Sequence, residues 1–256
     1  MLAAERQQRI LEMVLKSGAM TTAAAAQEFE ISEETVRRDF EKLEGDGLIA
    51  RKHGGALRLS NNDLEISLQS REVTNVAEKK VISQLALAYI QEGDSVFFDA
   101  SSTAFYFASL LPNIRITVLT SGLKTAIELA RRPAIRVILT GGIVGHGTLS
   151  CHGSLADSSL DRCHVQKAFM SCHGVDIERG LSEASMEQAD LKRNIIKLTE
   201  QVILLVDHTK TSMKSSWFFA GFSDVDLFIS DRKPPEMILN ALEKNGVKLA
   251  LPTISK

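Results

Sequence analysis

The chain has 256 residues and a mass of 28.1 kDa, is 44% apolar and 24% charged, and carries a formal net charge of -2. That length suits one large domain or a small one followed by a larger, in a composition ordinary for globular proteins. No stretch approaches the roughly 18 consecutive apolar residues of a membrane span, and a pI of 6.3 excludes a surface basic all over, though not a single positive face.

The opening "MLAAERQQRILEMVL" has acidic residues and helical spacing where a signal peptide would have a basic head and a cleavage site, so the expectation is a cytoplasmic protein. From Glu5 to Ser17, Ile10, Leu11, Val14 and Leu15 recur at helical spacing and Gly18 closes the segment. Thr22 is placed to cap a short alanine-rich helix ending near Phe29. Ser32 then caps a third helix, with Val36, Phe40 and Leu43 as its apolar stripe and Glu33 and Glu34 at the positive end of its dipole. Thr35, Arg37 and Arg38 lie off that stripe and project outward.

After this helix, "GDG" permits a reversal, Leu48 to Ala50 reads as a strand, "RKHGG" as a turn and Ala56 to Leu59 as a second strand. Three helices and a hairpin are the order of a winged helix-turn-helix. Its third helix fits a DNA major groove, while Arg51, Lys52, His53 and Arg58 of the hairpin reach phosphates. The bland alternative, Arg37 and Arg38 merely pairing with Glu34, Asp39 or Glu41 on a solvated helix, suits an isolated arginine pair better than it suits the whole arrangement.

"LSNND" at Leu59 to Asp63 is a polar break. The expected organisation is a DNA-binding domain over 1–59, a linker over 60–74 and a larger domain over 75–256. In that last part buried strands ("SVFFD", "IRITVLTSG", "AIRVILTGG", "QKAFMSCHG", "QVILLVDHTK", "DLFISD") alternate with helical stretches, which means a mostly parallel α/β sheet covered on both faces. Ligands of such sheets sit beyond the carboxyl ends of the strands. Four of those ends, Asp99 to Thr103, Thr120 to Gly122, Thr140 to Gly142 and Asp207 to Lys210, carry hydroxyls, glycines or an acid and should converge on one cleft. "DASST" leads straight into a helix, so its amides with Ser101, Ser102 and Thr103 form a phosphate seat to which Lys210 adds charge; the plain alternative is that Ser102 is only an N-cap and Lys210 only a surface lysine. Cys151, Cys163 and Cys172 each precede a histidine (His152, His164, His173), but none shows the short spacing that puts two ligands on one metal, so reduced thiols and no metal are expected.

"ISEETVRRDFEKLEGDGLIARKHGGA", Ile31 to Ala56, resembles the N-terminal signature of the DeoR family of bacterial transcription regulators, with Phe40 where leucine is usual. The resemblance extends over the whole chain. It implies a C-terminal domain similar to phosphosugar isomerases of the ribose-5-phosphate isomerase type, which binds a phosphorylated sugar or related metabolite as effector. Within it, Asp99 to Thr103, Thr120 with Ser121, and Asp207 to Lys210 match the family's strand-end motifs, although Ser101 and Ser121 replace the usual glycine and asparagine. "LSEASMEQADLKR" matches a segment ending in Lys192 and Arg193, with Gln188 where a glutamate is common.

Together these readings place Ser32, Glu34, Thr35, Arg37, Arg38, Arg51, Lys52 and His53 on double-stranded operator DNA. They place Asp99, Ser101, Ser102, Thr103, Thr120, Ser121, Gly141, Gly142, Gly174, Glu183 and Lys210 around the effector. A repressor of a carbohydrate operon is expected, without a cofactor, and working as a homodimer or homotetramer because a symmetric protein reads a repeated operator. The competing class is a working sugar-phosphate isomerase, with Glu183, Asp207 and Lys210 as base and carbonyl donor. Against it, "LTGGIVGHGTLS" holds no acid or lysine. A coenzyme A transferase relative would want a catalytic glutamate on a strand-end loop in a longer chain.

Overall fold

A computed structural model describes residues 2–45, 48–52, 54–57 and 67–253, and the chain divides after Thr74 into two compact units. Among the described residues no helix is long and apolar enough to cross a membrane.

The first unit opens with α1 (Ala3–Ser17), β1 (Ala19–Thr21), α2 (Thr22–Glu28) and α3 (Glu33–Gly45), followed by β2 (Ala50–Lys52), β3 (Gly55–Leu57) and α4 (Leu68–Val73). Gly18 ends α1 in the left-handed region at φ 83°, donating its amide to Val14 O at 2.9 Å as a helix C-cap does. Ile10, Leu11 and Val14 of α1, Ala25 of α2, and Val36, Phe40 and Leu43 of α3 form one core, against which Ala26 of α2 and Phe29 also pack.

The structure revises four sequence expectations in this unit. The cap of α2 is Thr21, whose hydroxyl accepts the Ala24 amide at 3.1 Å, and Thr22 is the first helical residue. Leu48 and Ile49 are not strand: the Leu48 amide returns to Leu43 O at 2.9 Å, and both side chains enter the core. Arg51 and Lys52 therefore belong to β2 rather than to the turn. β1, unforeseen because three residues carry no alternation, completes an antiparallel sheet in the order β1-β3-β2, with Met20 opposite Ala56 and Arg51 opposite Ala56 on its other edge. The positions of His53, Arg58, Asp46 and Gly47 lie outside the described residues, as does 60–66 of the expected linker. The rest of that linker is helical at α4, where Ser67 caps the Ser70 amide at 3.2 Å.

The second unit contains α5 (Val76–Ala86), β4 (Ser95–Phe98), α6 (Ser102–Leu110), β5 (Ile116–Thr120), α7 (Leu123–Leu129), β6 (Ile135–Leu139), β7 (Ile143–Val144), β8 (Cys151–His152) and α8 (Ser154–Leu160). It continues with β9 (Val165–Met170), β10 (Gly174–Asp176), β11 (Gly180–Glu183), α9 (Met186–Lys197), β12 (Thr199–Val206), a 3-10 turn at His208–Ser212, β13 (Trp217–Ala220), β14 (Leu227–Ser230), α10 (Glu236–Lys244) and β15 (Lys248–Ala250). Seven strands form one sheet in the order β15-β14-β12-β9-β4-β5-β6, and every pairing in it is parallel. Alternation along the strands splits the core: Val96 and Phe98 pack with α5, α6 and α7 on one face, and Phe97 packs with α8, α9 and α10 on the other. This is the buried, doubly covered parallel sheet that the alternating strands and helices predict. The sequence did not reveal the separate antiparallel sheet β10-β11-β13, nor the small hairpin of β7 and β8.

Candidate functional site

The outer face of α3 presents Arg37 and Arg38, whose side chains are 52% and 76% exposed. Arg37 donates to Glu33 Oε2 at 2.8 Å and lies 3.6 Å from Glu34, while Arg38 is 3.4 Å from Glu34. Such exposed pairs within one helix are worth about 0 to 1 kcal/mol, so a phosphate or base edge can displace them. At the start of α3 the Ser32 hydroxyl accepts the Thr35 amide at 3.3 Å and sits 2.9 Å from the Thr35 hydroxyl, which confirms the expected cap and holds Thr35 at the helix entrance. Arg51 pairs with Glu41 at 3.0 Å, joining β2 to α3. Between the start of α2, the outer side of α3 and β2 lies a cleft of about 740 Å³, lined by Thr22, Glu33, Arg37, Arg51 and Lys52 among others.

Asp39, the third residue of "RRD", behaves differently from the alternative weighed above. It is buried and binds α1: Arg6 Nε donates to Oδ2 at 2.6 Å, Arg6 Nη2 to Oδ1 at 3.2 Å and Gln7 Nε2 to Oδ1 at 2.8 Å. Two adjacent arginines thus face solvent while their neighbour fixes the helix to the core. Asp39→Ala should cost about 2 to 4 kcal/mol in urea unfolding of the full chain, since it strands a largely buried guanidinium; a loss under 0.5 kcal/mol would show that the Arg6 pair does not anchor α3.

In the second unit the sheet changes direction between β4 and β9, because β5 and β6 extend it on one side and β12, β14 and β15 on the other. Open α/β sheets bind ligands at this switch point. Asp99, just past β4, accepts the Ser101 amide at 3.1 Å, the Ser101 hydroxyl at 2.5 Å and, from just past β9, the Ser171 amide at 2.9 Å. Lys192, from α9, reaches Asp99 Oδ2 at 2.8 Å and Ser171 O at 2.6 Å and donates to Glu183 Oε1 at the end of β11. Past β12, Asp207 accepts the Thr209 amide and hydroxyl and the Asn75 side-chain amide, the last at 3.2 Å. Lys210 donates to the Ser171 hydroxyl at 2.8 Å and lies 3.7 Å from Asp207.

Burial alone would favour the neutral forms of these groups, but their partners outweigh it. Lys192 is 3% exposed, and the charges of Asp99 and Glu183 hold its amine above the ordinary lysine value. Asp99 is held below the ordinary carboxylate value by Lys192, Ser101 and Ser171, and Asp207 is held down by Lys210, Thr209 and Lys79. Burial pushes the Cys172 thiol up to about 12, which leaves it protonated and unreactive at neutral pH.

Of the expected effector residues, Asp99, Ser101, Glu183 and Lys210 thus meet in one hydrogen-bonded network. The capping hydroxyl of α6 is Ser101, which accepts the Ala104 amide at 3.1 Å, so Ser102 is the first helical residue and not the cap. Thr120, Ser121, Gly141 and Gly142 form a neighbouring group. The Thr140 amide bonds Thr120 O at 3.0 Å, the Cys151 amide bonds Ser121 O at 2.7 Å, and a Cβ on Gly122 would lie 3.2 Å from Ala100 Cα beside Asp99. Gly142 has φ 95°, and a Cβ there would lie 2.5 Å from His152 O, so only glycine fits the start of the β7 hairpin. Gly174, in β10, accepts the Ser182 hydroxyl on its carbonyl at 3.2 Å, and a Cβ there would overlap Met213 O just past the 3-10 turn.

The hydroxyls of Thr103, in the first turn of α6, and of Thr140, just past β6, are buried and have no partner among the described residues. Sequence reasoning passed over Ser171, the hinge of the network, because a lone serine after a strand carries no signal. It noted Lys192 only through the family resemblance, although a lysine spaced to lie on the inner side of a helix was a usable clue. The three cysteines are free. Among the described residues, none of the Cys-His pairs belongs to a group able to hold a metal ion.

Two family profiles match this chain, a DeoR-like helix-turn-helix domain over residues 6–62 and a DeoR C terminal sensor domain over residues 74–232. A Bacillus subtilis protein named as an uncharacterized HTH-type transcriptional regulator, YulB, is 41% identical over 100% of this chain and 99% of its own. The L-fucose operon activator of Haemophilus influenzae is 33% identical over 96% of this chain and 99% of its own. The HTH-type transcriptional repressor GlcR of Bacillus subtilis is 33% identical over 96% and 95%.

Proposed function

The chain belongs to the DeoR family of helix-turn-helix transcriptional regulators, and from that premise we propose that it represses a carbohydrate-metabolism operon and releases its operator when a phosphorylated sugar enters the sensor unit. The observation that carries the DNA half of this reading is the outward pair Arg37 and Arg38 beside Ser32 and Thr35, on a helix whose Asp39 ties it to the core. α3 enters the major groove, Arg37 and Thr35 reach base edges or phosphates, and Arg51, Lys52 and His53 hold the flanking backbone. A homodimer or homotetramer presents two such helices about one turn apart, in the cytoplasm where the operator lies.

For the sensor half, support comes from the start of α6 with its Thr103 hydroxyl and from the strand-end Thr140 hydroxyl, both without a partner among the described residues, and from the Lys210 ammonium. An anionic phosphate takes the helix amides and hydroxyls, and the sugar hydroxyls lie against Asp99, Glu183 and Asp207. The relatives' names include both an activator and a repressor, and ligand-dependent release of DNA is the outcome expected here. The ligand acts only through unequal affinity for the DNA-competent and DNA-incompetent arrangements.

Thermal-shift screening of sugar phosphates on the full chain, followed by operator titration with each hit, tests the reading. One sugar phosphate should raise Tm, lower operator affinity by about 5- to 150-fold and lose its effect in Lys210→Ala. If no sugar phosphate at millimolar concentration moves either Tm or operator affinity, the effector half is wrong. Tighter operator binding with ligand would make the chain ligand-assisted instead of ligand-released.

A further inference from the structure

Glu78 in the first turn of α5, His208 at the start of the 3-10 turn and Asp231 just past β14 bring one ligating atom each within 4.8 Å of one another. We propose that these three side chains form a divalent transition-metal site with Zn2+ as its preferred ion. The donor set fits that chemistry: one imidazole and two carboxylates neutralise a dication, and three protein ligands leave a fourth position for water. An imidazole among the donors favours Zn2+ over Mg2+, which prefers oxygen ligands and keeps its waters.

The donors are also held in place. Asp231 Oδ1 accepts the His208 backbone amide at 2.7 Å, while Oδ2 lies 2.9 Å from His208 Nδ1. That spacing is close to the roughly 3.3 Å between neighbouring ligands on a tetrahedral ion with bonds of about 2.0 Å. Asp231 is itself almost fully buried at 4% exposure, so its geometry is set by the protein rather than by solvent.

The two carboxylates share one cation, Arg232, with Nε 3.0 Å from Asp231 and Nη2 3.8 Å from Glu78. Its side chain is 59% exposed and can swing into water, so Arg232 acts as a competitor that a metal ion displaces. His208 stands between Asp207 and Lys210 of the network at the strand ends. A bound ion would therefore fasten that turn to α5, independently of whether the effector reading holds.

The test uses the full-length protein stripped with a chelator and titrated near neutral pH with Zn2+, Mn2+ and Mg2+ by calorimetry, with thermal unfolding alongside. One Zn2+ per chain should bind, raising Tm by about 5 °C at saturation, with Mn2+ weaker and Mg2+ silent. His208→Ala and Glu78→Gln should each weaken Zn2+ binding at least tenfold. Arg232→Ala should tighten it several-fold by removing the competing cation, a response that casual chelation by the other histidines would not give. Absence of stoichiometric Zn2+ binding in the wild type overturns the proposal, and so does binding untouched by Glu78→Gln and Arg232→Ala together. Arg232 is 59% exposed and Glu78→Gln keeps the shape of a side chain that is 24% exposed, so these two variants decide the matter even if His208→Ala does not fold.

Discussion

Lys192→Met should lower the stability of the sensor unit by about 3 to 5 kcal/mol, the cost of breaking a buried ion pair from one side. The ammonium of Lys192 stands between Asp99 and Glu183 and also donates to Ser171 O, all within a network closed to solvent. Without it, one carboxylate at least must take up a proton or admit water in a site shaped for neither. Urea unfolding followed through Trp217, the chain's single tryptophan and part of this unit, reads the loss. The double variant Asp99→Asn/Lys192→Met should recover part of it, because it removes one of the stranded charges. A loss below about 1 kcal/mol in Lys192→Met would mean that the network relaxes freely and does not pin the strand ends.

The same network fixes the sign of the pH dependence. Asp99 is depressed below its ordinary 3.8, so its contribution is present above that value and is lost as pH falls through the lower folded value. Lys192 is raised above its ordinary 10.5, so its contribution is complete below that value and is lost as pH rises through the higher folded one. Stability from the pair is therefore fully present from roughly pH 4 to 10, and Lys192→Met should flatten the alkaline limb.

Arg37→Ala should weaken operator binding by about 1 to 3 kcal/mol if the guanidinium reads a guanine, and relax the sequence preference at that one base pair. Arg38→Ala, if it meets phosphate, should weaken binding to all sequences alike and reduce the salt slope by about one. Neither change should disturb folding, because both side chains are exposed and, among the described residues, pair with Glu33 and Glu34 of their own helix. Anisotropy titrations on operator and scrambled duplexes at several salt concentrations separate the two roles. Unchanged affinity in both variants would remove α3 from the reading surface.

The amphipathic stripes of α1 and α3 were legible in the sequence because each helix buries one face, and period 3.6 records that directly. The parallel strands were legible as continuous apolar runs, since both of their faces are covered. Short elements were not. β1 has three residues, the β7 and β8 hairpin two in each strand, and β10 three, runs too short to show an alternation; β1 in addition takes a partner, β3, more than 30 residues away. Caps one residue out of place, Thr21 for Thr22 and Ser101 for Ser102, show that adjacent hydroxyls of equal chemistry are separated only by which backbone turns first.

Sequence alone determined the order of the longer helices and of the parallel strands, the family signature and the outward position of Arg37 and Arg38, because these depend on local spacing along a helix or strand. Tertiary structure alone decided that Asp39 turns inward to Arg6, that Ser171 joins Asp99 to Lys210, and that Lys192 is held between two acids. Each of those contacts joins residues at least 9 apart in the chain, and most join residues more than 30 apart. Arg6 and Asp39 meet when α1 packs on α3, whereas the side chains around Asp99 become neighbours when the winding of the sheet reverses between β4 and β9 and the strand ends meet.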